Sequence, residues 1–159
     1  MFSKGFTLIE ILAAVMLLGL AIATIVASNI AYTQATAQAV QLSTAEFLVE
    51  QIRELTVQLP MRDPNSGTAV FGPEEAGVAL YDDVDDFDGA SFKPPIDCQR
   101  KPLTDFSDYR QAVTVENVSD SNFLQTVPDY PSRDFVRVTV RILYKNSEIT
   151  RMSWIRSNN

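Results

Sequence analysis

The chain has 159 residues with 20 acidic side chains, 13 basic ones and no histidine, a net charge of −7. That is room for one modest domain, and the acidic balance excludes a nucleic-acid surface, which needs clustered Lys and Arg. With no His and a single Cys, Cys98, a zinc or haem site has almost no ligands to draw on and no intramolecular disulfide can form.

In chain order, the first element is an apolar run. From Phe6 to Ala27 the only ionisable side chain is Glu10. About 20 apolar residues at roughly 1.5 Å rise each cross a bilayer core as a helix, and this run is long enough. A carboxylate inside it is expensive, on the order of 2.5–3.5 kcal/mol at the bilayer centre and less near an end. Such an acid needs a partner, and the candidate is an α-amino group exposed by a cut between Gly5 and Phe6. Lys4 precedes the run and no Lys or Arg follows before Arg53. The positive-inside rule therefore predicts a cytoplasmic N-terminus, with the C-terminal part across the membrane. Two plainer readings are an uncleaved anchor over Met1 to Ala27 and a secretory signal cut near Val26-Ala27-Ser28. Neither accounts for Gly5-Phe6-Thr7 together with Glu10.

The segment Lys4-Gly5-Phe6-Thr7-Leu8-Ile9-Glu10, followed by Ile11 to Gly19, resembles the prepilin signal of type IV pilins and type II secretion pseudopilins. The resemblance implies a residue 1–5 leader removed by a cytoplasmic prepilin peptidase, which cuts after Gly5 and N-methylates Phe6. It implies that Glu10 neutralises the N-terminal amine of a neighbouring subunit during filament assembly. Its reach is about the first thirty residues. The chain departs from the family in having no C-terminal disulfide loop, and in carrying Ala27 where other pilins often have a proline in the membrane half.

After Ala27 the sequence turns polar but keeps helical spacing. Ala45, Leu48, Val49, Ile52, Leu55 and Leu59 form one apolar stripe, with Gln41, Glu46, Glu50, Arg53 and Glu54 on other faces. Pro60 ends the pattern. One helix is predicted from about Phe6 to about Leu59, roughly 80 Å long, with residues 6–27 in the membrane, residues 28–59 soluble, and the stripe packed against a sheet.

Residues 60–159 complete the domain. Met61 to Asp108 is punctuated by Pro and Gly, and only Thr68 to Phe71 and Gly77 to Leu80 suggest short strands or turns. Within it lies Tyr81-Asp82-Asp83-Val84-Asp85-Asp86-Phe87-Asp88-Gly89, five carboxylates in seven positions. Two readings stand side by side. Asp82, Asp83, Asp85, Asp86 and Asp88 are candidate ligands of a hard cation such as Ca²⁺, although the spacing does not fit an EF-hand loop. Alternatively the segment is a solvated acidic turn with Val84 and Phe87 tucked inward. The segment also resembles a motif in minor pilin-like proteins of the mannose-sensitive haemagglutinin pilus type, which favours a minor subunit.

Three strands follow. Gln111, Val113 and Val115 share one face of the first. Asn117 to Ser132 is a polar loop. Asp134 to Lys145 alternates Val136, Val138, Val140, Ile142 and Tyr144 against Phe135, Arg137, Thr139, Arg141 and Leu143. Lys145 to Glu148 turns the chain, and Ile149 to Arg156 returns as a hairpin partner. Met152 and Trp154 are expected to complete the core, with Ile149 and Ile155 on the opposite face. The expected fold is α+β, an antiparallel sheet on one long helix, as the pilin resemblance also implies.

No Ser-His or Cys-His pair, phosphate loop or metal-ligand cluster of enzymatic type stands out, so no enzyme is expected. The expected function is that of a minor pilin-like subunit in the bacterial inner membrane, with its C-terminal domain periplasmic, which joins a pilus through its helix. Its partners are the prepilin peptidase and other pilin subunits. A type II secretion pseudopilin, or a filament-displayed adhesion module binding through the acidic loop or Pro94 to Pro102, is the alternative.

Overall fold

A computed structural model describes residues 5–61, 63, 71–128 and 134–157. The expectations for Met1 to Lys4, for Thr68 to Val70 and for the loop around Pro131 lie outside the described residues. The element α1 (Leu8–Val57) is a 50-residue helix, two residues shorter at each end than its sequence pattern suggests. Beyond Val57 the helix tightens: Gln58 N–H donates to Leu55 O and Leu59 N–H to Thr56 O, each at 3.4 Å, before Pro60 ends it.

The chain forms two units, one ending at Val40 and one from Gln41 onward. In the first, every described residue from Gly5 to Val40 is exposed. An 18-residue window of α1 has mean hydropathy 2.6 and none of it is buried, so the helix is long and apolar enough to be a membrane span.

The second unit holds the core. Here α1 buries Ala45, Leu48, Val49, Ile52, Leu55 and Thr56, while Leu59 packs at the margin. Each fully buried Val, Leu or Ile contributes about 1.5–3 kcal/mol, so this stripe is a principal anchor of the unit. Thr56 is tolerated in it because its hydroxyl donates back to Ile52 O at 2.9 Å and Arg53 O at 3.1 Å.

Against the stripe lies a four-stranded antiparallel sheet in the order β1 (Ser91–Phe92), β2 (Tyr109–Asn117), β3 (Phe135–Tyr144), β4 (Ser147–Ser157). The fold is therefore α+β, with one strand more than the sequence pattern implied. Two-residue β1 is too short to show a period. On β3, Val136, Val138, Val140 and Ile142 are buried, and Val140 and Val138 pair with Met152 and Trp154 of β4. The β3–β4 turn is the two residues Lys145 and Asn146, with φ of +49° and +71°, the left-handed pair a tight hairpin requires.

Ile149 corrects the expected alternation. Ile142 pairs with Thr150 but Leu143 pairs with Glu148, so Ile149 is the extra residue of a bulge. That breaks the period, and Ile149 packs against the core cluster, whereas Ile155 does face outward. On the outer face Arg137 bonds Glu116, its cross-strand partner, through Nε at 3.2 Å and Nη2 at 2.8 Å. Its Nη1 reaches Phe123 O at 3.1 Å, tying the loop after β2 to the sheet.

Candidate functional site

Two places gather the residues that the sequence singles out. The first is the start of α1. Thr7 immediately precedes the helix, and Glu10 is the third helical residue. Thr7 N–H and Oγ1 both donate to Glu10 Oε2, at 2.8 and 2.7 Å, and Glu10 N–H approaches Thr7 Oγ1 at 3.4 Å. This is a reciprocal capping box, in which the Thr and Glu each satisfy an amide that the first helical turn leaves free. The sequence reading assigned Glu10 only an intermolecular partner. The signal for its local partner was the spacing Thr7-x-x-Glu10.

Phe6 is 84% exposed. A Cβ placed on Gly5 would meet nothing within 4 Å, and Gly5 lies outside the left-handed region, so the fold itself gives no reason for glycine there. The same holds at Gly19, inside the helix, where glycine costs about 1 kcal/mol relative to alanine. Phe6, Glu10, Ile11, Ala14, Val15 and Leu18 line one shallow, apolar groove.

The second place is the acidic segment. Val84 and Phe87 are fully buried, as the turn reading expects. The turn is not solvated, however: Asp83, Asp85 and Asp86 are 1%, 4% and 0% exposed. A short 3₁₀ turn, Asp85–Phe87, folds the acids under the end of α1, with Val84 N–H on Pro60 O at 3.1 Å. Asp83 Oδ1 accepts from Asp85 and Asp86 N–H at 3.0 and 3.2 Å. Asp86 Oδ2 accepts from Asp82 and Asp83 N–H at 2.9 and 3.3 Å, and Asp85 Oδ2 from Gly72 N–H at 3.1 Å. In each case one oxygen closes the turn. The other, Asp83 Oδ2, Asp85 Oδ1 or Asp86 Oδ1, is buried without a hydrogen-bond partner.

The five acids do not converge on one point. Asp88 Oδ1 accepts from Val115 N–H at 2.9 Å and so continues the edge of β2. Carboxylate oxygens come within 4.8 Å of one another in two groups among the described residues: Glu74, Glu75 and Asp86, and Asp63, Asp82 and Asp83. Asp63, Glu74 and Glu75 were not singled out by the sequence. They lie outside the dense run, and only the adjacent pair Glu74-Glu75 was there to be noticed. Cys98 is a half-buried loop residue at the core margin whose N–H donates to Gln51 Oε1 at 3.2 Å.

Crowding shifts the acids upward. Burial first, then the neighbouring Asp85, pushes Asp83 from 3.8 to about 8. The Asp86 carboxyl within hydrogen-bond reach, then desolvation, pushes Glu75 from 4.5 to about 7. Desolvation raises Asp85, and desolvation with Asp83 and Asp86 raises Glu74. With chelator present, the folded chain holds protons in this cluster that the unfolded chain has already released. The cluster's contribution to stability is therefore greatest near and below pH 4 and is lost as pH rises toward about 8. We expect the melting temperature in chelator to fall by several degrees between about pH 5 and pH 8, and the fall to shrink in Asp83→Asn, which cannot ionise but keeps an acceptor for the turn. Parallel profiles for the two chains would contradict this assignment.

No known protein-family model, curated protein or solved structure matches this chain, so the two sites rest on their own geometry.

Proposed function

We propose that this chain is a minor type IV pilin-like subunit, cut by a prepilin peptidase between Gly5 and Phe6, N-methylated on Phe6 and assembled through α1 into a pilus filament. The observation that carries the reading is the combination at the start of α1. A single carboxylate, Glu10, opens a helix whose described residues to Val40 are all exposed and carry no other charge. Such a surface needs lipid or other apolar helices to cover it. A subunit that waits in the inner membrane and then joins a helical filament meets both environments in turn.

Three further features support it. Gly5 is unexplained by the fold but suits a cut site, since a residue without Cβ leaves the adjoining bond open. Gly19 costs helix stability and packs against nothing among the described residues, which suits close approach of a neighbouring helix. The remaining acceptor capacity of Glu10, whose Oε2 alone holds the cap, is available to a neighbouring Phe6 amine. Cytoplasmic N-terminus, periplasmic domain and pilin partners belong to the same proposal. A secretion pseudopilus would use the same helix in the same way.

The test is mass spectrometry of the N-terminal peptide from membranes with and without an active prepilin peptidase. The expected product is N-methylated Phe6, dependent on the peptidase. An intact Met1, or a new terminus near Asn29, would remove the pilin reading.

A further inference from the structure

We propose that Glu74, Glu75 and Asp86 hold one hard divalent cation of the Ca²⁺ class, which pins the stretch from Gly72 to Glu75 to the buried acidic turn. The argument starts from oxygen geometry. Each of the three residues offers a carboxylate oxygen, and these lie within 4.8 Å of one another. A calcium ion sits about 2.3–2.6 Å from each ligand oxygen, so two of its ligands are at most roughly 5 Å apart. One ion can therefore touch all three without moving the backbone.

Clustered acids alone would not require an ion, because exposed ones are hydrated and their repulsion is screened by water. Burial is the independent observation. Asp86 is 0% exposed, and while its Oδ2 holds the Asp82 and Asp83 amides, its Oδ1 has no hydrogen-bond partner. Glu75 Oε2 is likewise buried and met by no N–H or O–H donor, and the Glu75 and Asp86 carboxyls face one another within hydrogen-bond reach, two acceptors that only a shared proton or a cation can join. Next to them the Asp83 and Asp85 carboxyls are a second such pair, with Asp83 Oδ2 and Asp85 Oδ1 buried. Among the described residues no Lys or Arg forms an ion pair with Glu74, Glu75, Asp83, Asp85 or Asp86. The nearby Arg100 is directed instead to Ala79 O and Tyr81 O. An unpaired buried oxygen is costly, more so when charged, and a chain does not keep several facing one another without something positive between them.

The donor set selects the ion. All ligands are carboxylate oxygens, with no His in the chain and Cys98 elsewhere, so zinc, copper and iron chemistry has no foothold. Magnesium demands near-ideal octahedral geometry and keeps its waters, whereas calcium accepts irregular clusters and mixed carboxylate and carbonyl ligands. The consequence is structural. Gly72 is already tied to Asp85, so an ion on Glu74 and Glu75 would hold the residues that follow Gly72 onto the turn beneath the end of α1 as well. This inference is independent of the pilin reading.

The test uses the full chain in detergent micelles, exchanged into EGTA and titrated with CaCl₂ or MgCl₂. Saturating Ca²⁺ is expected to raise the melting temperature by at least about 5 °C, with one ion bound per chain by calorimetry. Glu74 is exposed and Glu75 half-buried, so the double variant Glu74→Gln/Glu75→Gln retains the core. It is expected to bind Ca²⁺ at least tenfold more weakly and, in EGTA, to melt at or above the wild-type temperature because like-charge repulsion is relieved. A wild-type melt identical in EGTA and Ca²⁺ would overturn the proposal and leave shared protons as the neutralising agent. A calcium shift that survives in the double variant would overturn the site, and an equal response to Mg²⁺ would overturn the choice of ion.

Discussion

For the pilin-like subunit proposed above, Glu10→Val is expected to leave the chain in the membrane fraction but to lower its recovery in sheared filaments by about ten- to a hundredfold. In the unassembled subunit, a carboxylate near the start of an apolar helix raises the free energy of the membrane state, by up to about 2.5–3.5 kcal/mol if it lies deep. Pairing with a neighbouring amine on assembly removes that cost and fixes one register, because only one stagger of the helices brings the groups together. Valine removes the cost from the starting state, so the assembly step loses its driving force by a similar amount, and each 1.4 kcal/mol is a factor of about ten.

The capping box complicates that variant and also shows how to separate the two roles. Valine removes both the charge and the acceptor for Thr7 N–H and Oγ1. Glu10→Gln removes the charge and keeps an acceptor, since glutamine serves at this position of a capping box. If the charge matters, Glu10→Gln assembles as poorly as Glu10→Val. If the cap is the whole role, Glu10→Gln assembles like the wild type and the pairing proposal falls. Thr7→Val, which weakens the cap by about 0.5–2 kcal/mol and leaves the charge, should lie close to wild type.

Regular elements with a sustained period were legible in the sequence. The stripe Ala45 to Leu55 and the alternation Val136 to Ile142 each extend over enough residues for one face to declare itself, and both are buried as read. What was not legible came from single residues whose partners are distant in sequence. β1 is two residues long and exists because β2 offers an edge, with Ala112 opposite Ser91. Ile149 changed face because of a bulge that alternation cannot contain. Of the two readings of the acidic segment, the solvated turn rests on the rule that charge normally seeks water. The fold instead uses one oxygen of each buried Asp to hold backbone amides, and that depends on Pro60, Gly72 and β2 arriving from elsewhere. Glu74 and Glu75 joined the cluster only through the path of the loop.

Gln111→Leu is expected to destabilise the folded chain by about 3–4 kcal/mol. The sequence placed Gln111 on the same face as Val113 and Val115, and it is fully buried there, where a glutamine is unusual. The reason is the segment after the cis Lys93–Pro94 bond, which enters the interior with little sheet pairing beyond the bridge from Ile96 to Pro102. A buried backbone needs partners for both its donor and its acceptor. Gln111 supplies both: Oε1 accepts from Ile96 N–H at 2.8 Å and Nε2 donates to Ile96 O at 3.1 Å. The second Nε2 hydrogen reaches Leu48 O at 2.9 Å, so one amide joins β2, the Ile96 segment and α1. Leucine has about the right volume but leaves Ile96 N–H and O buried without partners, each costing about 1–3 kcal/mol, offset in part by greater apolar burial. For a domain of this size that is a fall in melting temperature of about 10–15 °C, readable by thermal unfolding of the full chain in detergent. Val113→Ala provides the control. It lies on the same face of the same strand and deletes two methyl groups without orphaning a polar atom, so its smaller cost measures packing alone. A Gln111→Leu chain as stable as Val113→Ala, or more so, would show that the amide bridge contributes no more than the volume it fills.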